Sequence, residues 1–181
     1  MLDLHVIIHP DTPEAWQREC LSSVRAAIAR AGFDVALHFV EGEDGHIGRG
    51  RARGYALGGF PWATCVDDDD LILPDSLRGM RPGLESSALA VSVLEMESRG
   101  GLVRLGGRRH HLSAYRRIAL IEHTGWACCG DVAQARSIPD GAWFDCDVVG
   151  YVWRVYPSSK ARAMRRANSA ELELANAQPT L

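Results

Sequence analysis

Between Trp62 and Pro74 an apolar run, Trp62-Ala63-Thr64-Cys65-Val66, ends in four consecutive carboxylates, Asp67 to Asp70. The chain turns apolar again at Leu71-Ile72-Leu73 before the proline. Four adjacent like charges repel, and each is pushed toward its protonated form unless something cationic sits among them. A buried strand that carries such a run to its C-terminal edge gathers carboxylate oxygens at one point, the donor type that hard divalent cations take. The plain alternative is a solvated acidic turn closing a strand. The segments on either side decide between the two.

Upstream, Leu4-His5-Val6-Ile7-Ile8-His9 reads as a buried strand that runs into the loop Pro10-Asp11-Thr12-Pro13. Thr12 is placed to cap a helix starting at Pro13, with Glu14 in its first turn. Apolar residues then recur at helical spacing (Ala15, Trp16, Cys20, Leu21, Val24, Ile28), and Gly32 marks the stop. Phe33 to Val40 alternates as a second strand and ends in Glu41-Gly42-Glu43-Asp44-Gly45. Strand, helix and strand in that order predict a parallel crossover unit, and open sheets of this kind bind ligands at the carboxyl ends of their strands. Three such ends are polar or acidic here: His9-Pro10-Asp11, Glu41 to Asp44, and Asp67 to Asp70. Between the second and third, Gly48 to Gly59 reads as a loop entering a short helix. Its arginines at 49, 51 and 53 cannot all face one way, so one or two meet a phosphate or carboxylate and the rest meet water. Gly48-Arg49-Gly50 alone is too common a pattern to mean dinucleotide binding.

Downstream, Asp75-Ser76-Leu77 opens a short helix or turn, and Ala88 to Met96 is the next strand. Leu102 to Leu105, bracketed by glycine pairs, is one arm of a hairpin. Of the adjacent His110 and His111 at most one reaches a metal if they stand on a strand, where neighbours point to opposite faces. Tyr115 to His123 and Trp126 to Val132 are mixed segments read as further strand. The acids Asp145 and Asp147 ahead of Val148 to Tyr156 predict a helix N-terminus, against the pull of the segment's β-branched content. Lys160 to Ala175 reads as a helix with a basic first half, and the tail from Ala177 as frayed.

At 181 residues, 46% of them hydrophobic, the chain predicts one domain with a real core. No apolar stretch approaches the eighteen or so residues of a membrane span, and the N-terminus lacks the pattern of a signal peptide. A net charge of −3 argues against a general nucleic-acid coat. Five cysteines without a repeating spacing fit a reducing compartment, with the cytoplasm as the expected location.

The residues from Gly48 to Leu77 resemble a known signature. Gly54-Tyr55-Ala56-Leu57, then Val66-Asp67-Asp68-Asp69-Asp70, then Pro74 and Leu77, are similar in type and spacing to the helix, strand and DxD motif of family 2-like glycosyltransferases with the GT-A fold. The likeness extends over about residues 4 to 80, with Cys20 to Val24 where that family has a similar helix, and is one of outline beyond. It implies a single GT-A-like (Rossmann-like) α/β domain with a mixed, mostly parallel central sheet flanked by helices. In that scheme about 1–80 form the nucleotide-binding half, about 81–160 the acceptor half, and about 160–181 a C-terminal helix and tail.

The resemblance also implies roles. His9 and Asp11 would sit against the nucleotide base, Glu41 where the family reads the base, and Arg51 near the nucleotide. Asp67, Asp68 and Asp69 would face the donor, with Asp69 and Asp67 holding Mn²⁺ or Mg²⁺. Asp70 would cap the turn that follows, and Asp68, although part of the donor-facing run, would take no part in the chemistry. Asp145 or Asp147 would be the late acid that takes the acceptor's proton. The donor would be a nucleotide-diphosphate sugar, most simply a UDP-sugar, and the acceptor a carbohydrate, lipid-linked or other hydroxyl. Dimerisation, or a flat site for a large acceptor, would compensate for the little material that so short a chain leaves for an acceptor site. The chemistry agrees with the residues: a cation held by carboxylates neutralises a diphosphate leaving group, and a carboxylate activates a weakly nucleophilic hydroxyl. Attack opposite the leaving group inverts the sugar carbon. The alternatives are a GT-A domain that binds nucleotide without turnover, and a phosphohydrolase with an aspartyl nucleophile.

Overall fold

Seven residues form the first strand, β1 (Leu2–Ile8), and both of its faces are buried. Leu2, Leu4 and Val6 face one apolar layer, while His5 and Ile7 face another. A strand covered on both sides reads as a nearly continuous apolar run, which is how this segment looks in sequence. The structure, a computed structural model, describes residues 1–43, 46–126 and 130–155. The helix expected over 160–175, the frayed tail, Tyr156 and the Cys128-Cys129 pair lie outside these residues.

After β1 come α1 (Glu14–Arg30), β2 (Val35–Glu41), α2 (Ile47–Tyr55), β3 (Trp62–Asp67), β4 (Leu71–Ile72) and α3 (Ser76–Leu84). The second half contributes β5 (Ala90–Arg99), β6 (Leu102–Leu105), β7 (Ser113–Arg116), α4 (Gly130–Ser137) and β8 (Trp143–Val155). The strand order is β2-β1-β3-β7-β5-β8-β4, with β6 paired to β5 outside that path. β1 lies parallel between β2 and β3, so the expected crossover unit is present. One side of the sheet carries the main core, where Cys20, Val24 and Ala27 of α1 and Leu77, Met80 and Leu84 of α3 pack on Leu4, Trp62 and Val91. Trp62 is buried, and its indole Nε1 donates to the Leu84 carbonyl at 2.9 Å, which fixes the end of α3 to the start of β3. Removing an aromatic ring from such a site costs about 3–5 kcal/mol.

The sheet departs from the mostly parallel arrangement expected. β7 runs back between β3 and β5, antiparallel to both, and β4–β8 and β5–β6 are antiparallel as well. Among the described residues, parallel pairing is confined to β1–β2, β1–β3 and β5–β8. The expected helix after Asp147 is instead the long strand β8: Val148, Val149, Tyr151, Val152 and Trp153 suit a pleated surface, and that preference outweighs the acidic start. Conversely, a helix begins at Gly130 where strand was expected through Val132. Thr12 caps nothing: Pro13 is the N-cap of α1, and the Thr12 hydroxyl donates to Asp68.

Candidate functional site

The parallel strands β1, β2 and β3 end together. Ile7 pairs with Asp67 and Ile8 with Glu41, so the three polar ends form one edge. Side chains alternate across a strand, and this alone separates the four aspartates. Asp67 shares a face with Cys65, the face covered by α2, whereas Trp62 and Val66 look into the α1–α3 core. Asp68 follows onto the α1 side. Its Oδ2 accepts from the His9 backbone N–H and from Gln17 Nε2, both at 2.9 Å, and Oδ1 accepts from Thr12 Oγ1 at 2.8 Å. This aspartate pins the end of β1 to the start of α1. Asp70 is buried and turns toward β8, accepting from the Tyr151 hydroxyl at 2.8 Å and the Arg154 N–H at 2.7 Å. It ties β4 to β8, and it does not cap the turn.

Arg51 reaches Asp67 because α2 sits close to β1. A Cβ at Gly50 would lie 2.9 Å from Ile7 Cγ2, and one at Gly54 3.2 Å from the His5 Cβ, so the spacing of four glycine-to-glycine residues lets helix and strand approach. The buried guanidinium then lies 3.1 Å from Asp67 Oδ2 through Nη2 and 3.5 Å from Asp131 Oδ1 through Nη1. Asp131 stands in the first turn of α4, its Oδ2 3.4 Å from His110 Nε2. Burial opposes its charge, but Arg51 and the histidines at 110 and 111 outweigh that and draw its pKa down to about 2. Burial works against the Arg51 charge too, and Asp67 and Asp131 hold its pKa well above the usual arginine value. Arg51→Ala leaves both carboxylates without their cation and should destabilise the protein by about 3–5 kcal/mol. Arg51→Lys should lose less, because a charge remains without the planar fork. Urea midpoints of the three proteins measure this, and a loss below about 1 kcal/mol in the alanine variant would contradict the buried pair.

Asp69 is the aspartate with unmet electrostatics. Burial, then the charges of Asp70, Asp67 and Asp68, push its pKa up to about 8. Burial raises Asp70 to about 7 despite the Tyr151 and Arg154 contacts. An acid whose pKa is higher folded than unfolded binds extra protons in the folded state, so stability falls as pH rises through the interval between the two values. For Asp69 that interval runs from about 4 to about 8. In chelator, Asp69→Asn should therefore melt higher than the wild type, with a gap that widens from pH 5 to pH 8. A gap on the order of 2 kcal/mol corresponds to roughly 4–8 °C for a chain of this length. A constant or reversed gap across those melting curves would contradict the charge crowding.

The residues fit a hard divalent cation. Asp67 Oδ1 is buried with no hydrogen-bond partner among the described residues, and Asp69, close enough to feel the Asp67 charge, supplies a second carboxylate. Oxygen donors of this kind suit Mg²⁺ or Mn²⁺. The Nε and Nη1 atoms of Arg51 also lack hydrogen-bond partners among the described residues, and anionic oxygens are their natural acceptors.

The other expected residues divide. His9 lies at the shared edge, its ring over Gly42, where a Cβ would come within 2.6 Å of Nδ1. Glu41 ends β2 beside it with an exposed side chain, and its carbonyl accepts from Arg53 Nη2 at 2.6 Å. Asp11 is exposed in the loop after β1. Asp145 and Asp147 are elsewhere. Asp145 pairs with β5 at Ser92 and is held by Ser92 Oγ and Arg109, while Asp147 is nearly fully exposed and meets Arg108. The late carboxylate brought to Arg51 and Asp67 is Asp131, which the sequence reasoning passed over. Gly130-Asp131 followed by Ala133-Gln134-Ala135 carries a helix-start signal, an acid in the first turn ahead of good helix formers. Glu95 was missed as well; it binds the backbone and ring of His111.

No protein-family model matches the sequence, and no curated protein matches it. Solved structures do. S. aureus TarS 1-349 in complex with UDP-GlcNAc aligns with a TM-score of 0.65 at 11% identity, over 90% of this chain and 60% of that one. The same protein in complex with UDP gives 0.63 at 15% identity, over 91% and 63%. A further S. aureus TarS crystal structure gives 0.62 at 13% identity, over 91% and 38%. The chain thus spans 60–63% of the TarS 1-349 structures and less of the other. At these identities the likeness is one of fold: a mixed α/β domain of the GT-A type.

Proposed function

We propose that the protein is a metal-dependent glycosyltransferase that moves a sugar from a nucleotide-diphosphate sugar to an acceptor hydroxyl with inversion. The observation that carries this is the grouping of Asp67, Asp69, Arg51 and Asp131 at the carboxyl ends of a GT-A-type sheet. That the TarS structures hold UDP-GlcNAc and UDP supports a UDP-sugar as donor. Asp67 and Asp69 would hold Mn²⁺ or Mg²⁺, whose charge stabilises the departing diphosphate. Arg51 would offer the same phosphate oxygens its unpartnered Nε and Nη1 donors, already fixed in place as charge develops. His9, Asp11 and Glu41 border the nucleoside side of the edge. Asp68 serves the donor by holding the end of β1 in place, and does not touch it.

The acceptor's proton goes to Asp131 in this proposal, not to Asp145 or Asp147. Asp131 is ionised at any neutral pH, and the diphosphate competes with it for Arg51, which raises its basicity when donor is bound. A cleft of about 650 Å³ runs from His110 and Val132 past Arg136 and Asp140 to Trp143. Two of its lining residues, His110 and Val132, neighbour Asp131 in contact and in sequence respectively, and the cleft would take a hydroxyl-bearing acceptor. Among the described residues no helix is long and apolar enough to cross a membrane.

The test is a panel of UDP-sugars incubated with the protein and Mn²⁺, followed by UDP release. Release that requires the cation is the expected result. Calorimetric binding of UDP without release from any sugar would make the protein a nucleotide-binding domain without turnover. Phosphate release from phosphomonoesters would favour a phosphohydrolase.

A further inference from the structure

We propose that Glu95, His110 and His111 form a second cation site, for a borderline metal such as Zn²⁺ or Co²⁺, distinct from the Asp67–Asp69 pair. One ligand atom from each residue lies within 4.8 Å of the other two. His110 Nδ1 is 2.8 Å from His111 Nδ1, and His111 Nδ1 is 3.0 Å from Glu95 Oε2. Three lone-pair-bearing atoms therefore aim at one another, and a single shared proton answers only part of that convergence. Two nitrogens bound to tetrahedral zinc at about 2.0–2.1 Å sit about 3.3 Å apart, so the rings need to part by about half an ångström to admit the ion.

The surroundings hold these atoms in place. Glu95 Oε1 accepts the backbone N–H groups of His110 at 3.3 Å and His111 at 2.7 Å, which leaves Oε2 to face the rings. The loop bearing the histidines is fastened to β5 on both sides of that carboxylate: Gly106 donates to the Glu95 carbonyl at 2.8 Å, and Glu95 donates to the Gly107 carbonyl at 3.0 Å. The His111 ring stacks on Tyr151 and Trp153, with centroids 5.6 and 4.8 Å away. His110 Nε2 points to Asp131 Oδ2 at 3.4 Å, the carboxylate-behind-histidine arrangement that fixes the tautomer of a metal-bound imidazole.

Access comes from one side. The His111 and Glu95 side chains are 8% and 6% exposed, whereas that of His110 is 38% exposed. A cavity of about 190 Å³ lined by Glu95, Gly107, His110 and Trp153 adjoins it, with room for a water or small ligand in a fourth position. Two imidazoles and one carboxylate with an open position suit Zn²⁺ or Co²⁺, whereas the all-oxygen Asp67–Asp69 pair suits Mg²⁺ or Mn²⁺. The assignment rests on these three residues and stands whether or not the protein transfers sugar.

Titration of the full chain with Co²⁺ tests it, in the wild type and in Asp69→Asn, which leaves the Asp67–Arg51–Asp131 contacts in place. The expected result is a one-equivalent rise of the intense visible bands of four- or five-coordinate cobalt, unchanged in Asp69→Asn and displaced by Zn²⁺ but not by Mg²⁺. His110→Ala and Glu95→Gln should each weaken binding by about 100-fold or more. His110 is the most exposed of the three, so its variant is checked by far-ultraviolet circular dichroism and melting temperature alongside the native chain. Faint octahedral bands only, equal affinity in His110→Ala, or loss of the signal in Asp69→Asn would each overturn the proposal.

Discussion

Asp69→Asn is expected to lower cation-dependent UDP release by about 100- to 1,000-fold or more. The carboxamide keeps an oxygen at the site but removes the charge, and charge is what a divalent ion needs to offset a departing diphosphate. The size follows from the crowding at the end of β3. Asp69 carries a pKa near 8 because its neighbours repel its ionised form, and that repulsion stands ready to be relieved by a cation. In the proposed reaction the binding energy of the ion would be concentrated where the leaving group develops charge. Raising Mn²⁺ separates the two ways in which activity can fall: recovery at high Mn²⁺ marks lost affinity alone, while a fixed low kcat marks lost stabilisation of the leaving group. A misfolded variant cannot mimic the result, since the same substitution is expected to raise the melting temperature in chelator at pH 8. Wild-type release from Asp69→Asn at limiting Mn²⁺ would remove this aspartate from the donor site.

The same substitution at Asp67 has a different outcome, because Asp67 is shared. Its Oδ2 meets Arg51 at 3.1 Å, and its Oδ1 has no hydrogen-bond partner among the described residues. Neutralising it frees Arg51 to settle on Asp131 alone. Such a variant would mix loss of a proposed cation ligand with rearrangement of the proposed base, which is why Asp69 is the cleaner probe.

The first half of the fold is legible in the sequence because its signals are short-range and mutually consistent. Short apolar runs at Leu4–Ile8 and Trp62–Val66, the helical spacing of Cys20, Val24 and Ile28, and the polar strand ends all point one way. Alternation even separates Asp67 from Asp68 once one face of β3 is known. The second half is harder for physical reasons. In β8 two local preferences conflict: Asp145 and Asp147 look like a helix start, and the β-branched and aromatic residues behind them favour strand. Those acids turn out to be outward-facing positions of a strand edge, paired with Arg109 and Arg108. In α4 the opposite occurs, since eight residues with little apolar stripe give almost no periodic signal. The antiparallel return of β7 between β3 and β5 has no local signature; it is decided by which edges are left to pair. His110 and His111 defeat the two-faces argument because they lie ahead of β7 (Ser113–Arg116), in a loop that lets both rings approach Glu95.

Asp131→Asn is expected to lower sugar transfer by about 100- to 10,000-fold while leaving UDP binding within a few-fold of the wild type. The carboxylate lies 3.5 Å from Arg51 on the side away from Asp67, so donor contacts through Arg51, Asp67 and Asp69 persist without it. What disappears is the acceptor of the hydroxyl proton, since a carboxamide has no basic site in the working pH range. Stability changes in the opposite direction from Asp69→Asn. The Asp131 pKa is held down near 2, so its ionised form stabilises the fold at every pH above the unfolded value near 4, and that contribution fades only as pH falls through that interval. The variant should accordingly lose on the order of 2 kcal/mol at pH 7, and its rates belong well below its melting temperature. Asp145→Asn and Asp147→Asn serve as controls, because exposed pairs with Arg109 and Arg108 contribute about 0–1 kcal/mol and touch neither Arg51 nor the aspartate run. If Asp145→Asn instead abolishes transfer and Asp131→Asn retains it, the proton goes to β8 and the grouping around Arg51 serves the donor alone. If both variants transfer normally with UDP release intact, the acceptor's proton leaves to solvent and Asp131 acts only to hold Arg51.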